Sequence, residues 1–463
     1  MMTFRFSIFL WSTACAFTLL SCKKLIEVPP PQDQLEAGTV FANDMNARDA
    51  ILGIYSNMMS TPRTLLNAGV SVYASLSADD LTRVLSSPTE DAFTTNALTS
   101  QNVPCGNLYK LAYISINQAN VVRAELAVST GVSAAARRQL TGEADFVRAI
   151  LYFYLINLYD SVPLVTGTDY ATNAIKPRSS AAEVYQQIVT DLKEAQNLLS
   201  EAYATGGTST DRTRPNLLAA TALLARVYLY QKNWQQAEQQ ATAVIADSSL
   251  YQLETDLTKV FLTSSREAIW QLQPVVNSRT VEASSFIPPS SGSIRPTYVL
   301  TSFLQNTFET GDLRRMYWTG KKTVSGTSYV YPYKYKTTSD TSPIKEYSTI
   351  LRLAEQYLIR AEAAAQQGEI TQATADLNVV RKRAGLPQVS GLDQNGLLAA
   401  IAHERQVELF AEEGHRWLDL KRTGQVNNIL GMEKPGWRAQ AVLYPIPFTE
   451  LQSNVYLTQN PGY

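Results

Sequence analysis

The sequence is poor in the residues that build metal centres and disulfide scaffolds, with three cysteines and two histidines in 463 residues. Three cysteines cannot make a disulfide framework, and two histidines leave few ligands for a zinc site. An excess of one charge is also missing. Lys plus Arg is 40 and Asp plus Glu is 41, a net charge of −1. That balance gives no global attraction for nucleic acid and fits mostly uncharged ligands. After the first 22 residues there is no run of 18 uncharged apolar residues, so no later membrane span is expected. Neither GxSxG nor GxGxxG occurs. What is present excludes disorder, since 45% of residues are hydrophobic and 10% aromatic. Length alone suggests two or three domains.

The N-terminus reads as an export signal. Arg5 is the only charge before Lys23, and Phe6 to Leu20 are apolar or small. A core of about 15 residues suits a signal and falls short of a spanning helix. Its end, Leu19-Leu20-Ser21-Cys22, resembles a bacterial lipobox, in which the cysteine sulfur carries the lipid. An ordinary signal peptide cut nearby, with Cys22 incidental, is the alternative. Several acyl chains would hold the protein on a membrane. Pro29 to Pro31 lie in the segment that follows, and three prolines favour an extended tether.

Most of the remaining chain has helical periodicity. Residues 143–159 and 183–199 carry apolar positions at helical spacing. Residues 217–231 and 235–246 read as one helical pair, and 352–367 and 371–384 as another. Aligning Ala237 with Ala373 also aligns Ala225 with Ala361. Small residues at the crossing of two antiparallel helices resemble tetratricopeptide units. Between the pairs, Ala268 to Leu272 looks like a strand. Residues 275–296 look like loop, 201–214 like a polar surface loop, and 329–336 alternate in period two with Pro332 at an edge.

Several chemical motifs fail on spacing. His403-Glu404 begins like HExxH, but position 407 is Val and His415 lies 12 residues on. Gly320-Lys321-Lys322-Thr323 lacks the spacing of a phosphate loop. Cys105, inside the mature body, has no assignable His partner and reads as a buried thiol. Glu404, Glu408, Glu412, Arg405, Arg416 and Asp419 are crowded near the C-terminus. They read as an ion-pair network between helices in preference to an acid/base pair.

Together these segments resemble the RagB/SusD family of Bacteroidetes surface lipoproteins. The carrying residues include Gly142-Glu143-Ala144, Arg148-Ala149, Tyr152-Phe153, Pro163-Leu164 and Leu224-Ala225-Arg226. Further on come Leu351-Arg352-Leu353-Ala354, Arg360-Ala361-Glu362-Ala363, Asn378 and Arg381-Lys382-Arg383-Ala384-Gly385. Gly414-His415-Arg416-Trp417-Leu418-Asp419 is the best-marked motif, and Asn460-Pro461-Gly462-Tyr463 closes the chain. The resemblance implies a mainly α fold. Its scaffold is a tetratricopeptide-like set of helical pairs, an α–α superhelix, with irregular loops and a few short strands. It implies a signal at 1–21, an acylated N-terminus and tether at 22–40, and one SusD-like body at 41–463. Within that body the N-terminal part spans about 41–215, the C-terminal part about 266–463, and a variable ligand-binding insertion about 250–350.

The resemblance also implies a role. Such proteins capture oligosaccharides, or in some members peptides, and close over a SusC-like TonB-dependent barrel in the outer membrane. They are not enzymes, and no cofactor or metal is expected. A peptide or siderophore-like cargo is the alternative within binding, and a surface glycoside hydrolase the alternative outside it. Sugar recognition needs aromatic faces flanked by hydrogen-bonding groups. The insertion supplies Tyr317, Trp318, Tyr329, Tyr331 and Tyr333; the segment 60–108 supplies Tyr73, Asp79, Asp80 and Arg83. Tyr73 and Trp318 are the leading candidates, whereas Tyr335 and Trp270 read as core.

Overall fold

Small and apolar residues at helical spacing build a chain of antiparallel helices, many of them started by a polar cap. The computed structural model describes residues 37–204, 211–340 and 342–463; Cys22, the signal and most of the tether lie outside them. The principal helices are α1 (Asp44–Ser60), α2 (Val70–Ser77), α3 (Val103–Val128), α4 (Ala134–Tyr159), α5 (Ala181–Leu198), α6 (Leu217–Tyr230) and α7 (Trp234–Ala246). After them come α8 (Val281–Phe286), α9 (Leu313–Trp318), α10 (Leu353–Gln366), α11 (Ile370–Arg383), α12 (Gln394–Leu409) and α13 (His415–Arg422). Ser133, Ser180, Asn216, Asn233 and Asp393 each accept a backbone N–H of the first turn. These bonds satisfy donors that a helix start leaves open.

Successive helices pack side by side from α3 through α4, α5, α6 and α7, and the row continues with α10, α11 and α12. Thus α7 touches α10, although residues 247–352 lie between them in sequence. The excursion closes where β2 (Ala268–Leu272) pairs antiparallel with β6 (Ser348–Arg352), which leads straight into α10. Ala225, Ala237, Ala361 and Ala373 are all fully buried. Their methyl-sized side chains let the paired helices approach closely, as the alignment of the two pairs anticipates. Arg226 of α6 spans the join between pairs. Its Nε lies 2.6 Å from Glu355 Oε1 of α10, and its Nη2 donates to the Ile350 carbonyl at 3.1 Å.

The excursion is not all loop. Within 275–296, residues Val281–Phe286 form α8, capped by the Thr280 hydroxyl, with Ala283 and Phe286 buried. The polar segment 201–214 is also not wholly at the surface. Arg212 and Arg214 are buried, and Arg214 forms a two-pronged pair with the Glu143 carboxylate. An arginine counts as polar in sequence, yet a buried acid turns it inward.

One buried charge lattice ties the excursion to the helices. Glu404 and Glu408 lie one turn apart on α12, both fully buried. Arg314 of α9 bridges them at 2.5 and 2.9 Å and reaches Asp312 at 2.8 Å. Arg352, at the end of β6, reaches Glu408 at 2.6 Å, Glu412 at 2.6 Å and Glu267 at 2.9 Å. From α11, Arg383 pairs with Glu267 and Glu408, and Arg381 with Glu309 and Glu404. Lys334 closes the lattice on Glu412. The crowded C-terminal acids thus form the expected helix-locking network, and its cations come from four separate segments. Burial alone would raise the Glu408 carboxyl, but Arg383, Arg352 and Arg314 outweigh it and hold it well below its usual range.

Removing one member strands its partners in a dry interior, at a cost of about 3–5 kcal/mol. Glu408→Gln is therefore expected to lower the unfolding free energy by that order in urea titration, whereas Lys259→Gln, in an exposed pair with Asp256, leaves it unchanged. The folded Glu408 carboxyl gives up its proton more readily than the unfolded one. Its contribution is complete above the ordinary value of 4.5 and is lost as pH falls below it. The stability difference between wild type and Glu408→Gln should accordingly shrink below about pH 4.5. A difference independent of pH would refute this role.

Candidate functional site

The sequence pattern Val324-Ser325-Gly326-Thr327 makes a tight hairpin, and the hairpin makes a cleft. Ser325 and Gly326 have φ of 50° and 80°. Two consecutive left-handed residues define the turn that matches strand twist, and glycine adopts that conformation without strain. The flanking strands are β4 (Thr319–Val324) and β5 (Thr327–Pro332). Gly320 stands opposite Tyr331, and Lys322 opposite Tyr329. Pro332 falls at the last position of β5, where the period-two pattern expects an edge.

The Tyr331 ring lies directly over Gly320; a Cβ on Gly320 would meet the ring at 2.3 Å. Tyr331 and Tyr333 meet edge to face, with centroids 6.1 Å apart and planes at 90°. Both line a cleft of about 820 Å³, walled on the far side by α8 and Pro288 to Ser291. Ser284 and Ser290 add hydroxyls to the wall. Partly exposed rings beside hydroxyls and charged groups suit the stacking and hydrogen bonding that sugar rings need.

The other expected site residues are distributed differently. Trp318 is fully buried, so the expectation that it meets a ligand is corrected. Its ring faces cations instead: Lys334 Nζ at 4.7 Å, Arg383 at 5.5 Å and Arg352 at 5.7 Å from the centroid. Its Nε1–H donates to the Leu257 carbonyl at 2.9 Å. Tyr73 is also corrected. It is 4% exposed and stacked on Phe93 at 4.6 Å. Asp79 and Asp80 are buried on the same side of the fold. Asp79 receives a two-pronged pair from Arg416 at 2.6 and 2.7 Å, which explains the arginine of the best-marked motif. Burial, with Asp79 beside it, pushes Asp80 up to about 7.

Arg83 ends β1 (Leu81–Arg83), which pairs antiparallel with β3 (Tyr298–Leu300). Its guanidinium sits 5.3 Å from the centre of the Tyr298 ring and pairs with Glu90. The Tyr298 hydroxyl donates to Glu90 at 2.6 Å. This cluster satisfies itself internally. Tyr317 is 38% exposed and gives its carbonyl to Lys336. Tyr329 is partly exposed on the Tyr331 face of the hairpin. Of the nine residues expected to bind ligand, Tyr331 and Tyr333 line the cleft, Tyr329 shares the Tyr331 face, and Tyr317 adjoins it. Trp270 and Tyr335 are core, as read from their strand-like segments.

Three groups with possible chemistry are already occupied. Glu309, His403 and Glu404 bring ligand atoms together, but Arg381 pairs with both acids and Arg314 with Glu404. The His403 Nε2 lies 2.9 Å from the Thr307 carbonyl. Burial pushes the Cys105 thiol up to about 12, which keeps it protonated and inert. Glu404, Glu408 and Glu412 hold arginines and a lysine, which leaves none of them free to act as an acid or base. Residues missed in the sequence are Arg279, Lys322 and Lys336, which line the cleft. The period-two pattern could have found Lys322, since it pairs Lys322 with Tyr329 on one face of the hairpin once the two-residue turn is recognised.

A model described as the SusD family matches residues 168–463, and one described as starch-binding associating with outer membrane matches residues 44–229. The chain belongs to the SusD family. Among its SusD relatives is SusD-like protein P25 of Formosa agariphila, 25% identical, with 96% of this chain and 97% of P25 covered. Starch-binding protein SusD of Bacteroides thetaiotaomicron is 24% identical over 72% of this chain and 74% of its own. A solved laminarin-binding SusD-like protein superposes with a TM-score of 0.77 at 26% identity, covering 91% of this chain and all of the other. The SusD fold accounts for the helical pairs and for the buried arginines of the motifs. Among the described residues no helix is long and apolar enough to cross a membrane.

The register of the β4–β5 hairpin gives a direct test of the cleft. Gly320→Val must push the Tyr331 ring off the strand, so glycan affinity should fall by about tenfold or more, roughly 1.4 kcal/mol. Thermal unfolding should shift by only a few degrees, because the hairpin lies outside the buried lattice. Unchanged affinity in the Gly320→Val protein would remove Tyr331 from the site.

Proposed function

We propose that this protein captures oligosaccharides at the cell surface and delivers them to a SusC-like TonB-dependent barrel, without catalysis. The observation that carries the reading is the cleft beside the β4–β5 hairpin, on a chain of a carbohydrate-binding family. The laminarin-binding neighbour supports a glycan as cargo. Tyr331 and Tyr333 offer ring faces for stacking, with Tyr329 and Tyr317 adjoining, and Ser284 and Ser290 offer hydroxyls. Arg83, Tyr73, Asp79, Asp80 and Trp318 shape and stiffen the body around it. The body at 41–463 acts as one unit in this reading, held to the outer membrane by acylated Cys22 through the extended tether.

The occupancy of the C-terminal acids supports a role without turnover. Each acid of the C-terminal cluster accepts hydrogen bonds from arginine or lysine, and a glycosidase acid must be free to hold and release a proton. Isothermal titration calorimetry of the mature chain against an oligosaccharide panel, with product release followed in parallel, tests both halves. Binding without hydrolysis is expected, with at least tenfold loss in Tyr331→Ala/Tyr333→Ala. Hydrolysis abolished by a single carboxylate substitution, or peptide binding with no sugar binding, would refute it. In cells, Cys22→Ala should move the protein from the membrane fraction to the soluble fraction; retention would refute the anchor.

A further inference from the structure

The cleft carries a charge that the whole-chain balance hides. Arg279, Lys321, Lys322 and Lys336 line it, and among the described residues no Asp or Glu does. The arginines of the buried lattice meet carboxylates, whereas the cleft cations, like buried Arg212 and Lys434, are anchored by carbonyl oxygens. Arg279 Nη1 donates to Thr338 at 2.5 Å, and Lys322 Nζ to Pro289 at 2.5 Å. Lys336 Nζ donates to the carbonyls of Tyr317 at 2.7 Å and Tyr333 at 2.8 Å.

A carbonyl positions a cation without cancelling its charge. The acids near in sequence are engaged with backbone. Asp340 accepts from the Ser278 N–H at 3.0 Å, and Glu346 from those of Lys336 and Thr337 at 2.7 and 2.9 Å. Arg279 also keeps a buried Nε–H with no hydrogen-bond partner in the structure. Burial lowers Lys336 to about 8, with Glu346 and Asp256 pulling the other way. A ligand anion would relieve that cost of burial.

We propose that the cleft takes an anionic oligosaccharide, with Arg279, Lys322 and Lys336 holding its carboxylate or sulfate groups while Tyr331 and Tyr333 carry its rings. This rests on the glycan-capture reading and adds the charge of the glycan. Arg279 offers a planar fork that matches a carboxylate or sulfate, whereas the lysines act as point charges. Lys321, at the exposed rim, adds to the field that draws an anion in. The cleft volume falls within the roughly 300–1,000 Å³ common for ligand sites, enough for a short oligomer.

The test is calorimetry of the full mature chain with three probes of similar length: a neutral laminari-oligosaccharide, an oligogalacturonate and a sulfated galactan oligosaccharide. One anionic probe should bind at least about tenfold tighter than the neutral one, and its affinity should fall as salt rises. Which of the two binds separates uronate from sulfate ester. Lys322→Gln should weaken that binding about tenfold, by more than it weakens the neutral probe. Lys321→Glu, on an exposed strand position that no fold contact needs, should weaken it as well. Equal or tighter binding of the neutral probe, insensitive to both substitutions, would overturn the anionic inference and leave glycan capture standing. Binding of none of the three, with the circular dichroism spectrum intact, would overturn both.

Discussion

Arginine meeting carboxylate in a dry interior is the interaction on which this structure depends. Glu404 and Glu408 are fully buried on α12, and neither would be tolerated there without Arg314, Arg352, Arg381 and Arg383. Two buried acids one turn apart repel each other, and burial alone would keep them protonated. Cations drawn from α9, β6 and α11 reverse that preference at Glu408. The arginines are equally unable to stay buried alone. The lattice therefore forms as a unit, and forming it brings the excursion 247–352 back onto the helical row. Lys334, enclosed by Phe261, Trp318, Phe410 and Glu412, anchors the strand that leaves the hairpin.

That anchoring shapes the site. Tyr333 is the neighbour of Lys334, so the inward pull on one residue sets the outward position of the other. Tyr331, two residues earlier, lies across Gly320, and the turn at Ser325–Gly326 fixes which residues share its face. The cleft is thus a rigid consequence of an interior that admits no alternative pairing. Its chemistry differs from that of the lattice: the lattice arginines meet acids, while the cleft cations donate to carbonyls.

Much of the scaffold was legible in the sequence. Aligned alanines predicted the two helical pairs, although the 106 residues between α7 and α10 hid that they adjoin. The crowded acids of 404–419 were readable as a network, but the spacing of charges on their own helix did not show that most of their partners come from distant segments. The site was less legible because an aromatic ring has the same letter in the core and at the surface. Trp318 and Tyr73 looked like stacking platforms, yet tertiary contacts with cations and with Phe93 decide their fate. Tyr331 owes its place to register, which a two-residue turn sets and which composition does not report. The cleft cations were hidden for a related reason: a net charge of −1 averages over the chain and says nothing of one wall.

The central claim is that the glycan sits in the hairpin cleft held by the buried lattice. A crystal structure of the mature chain with a bound oligosaccharide tests it most directly. The account predicts sugar density against Tyr331 and Tyr333, with an acidic substituent within hydrogen-bond distance of Arg279 or Lys322. Sugar bound elsewhere on the body, with the cleft filled only by water, would contradict it.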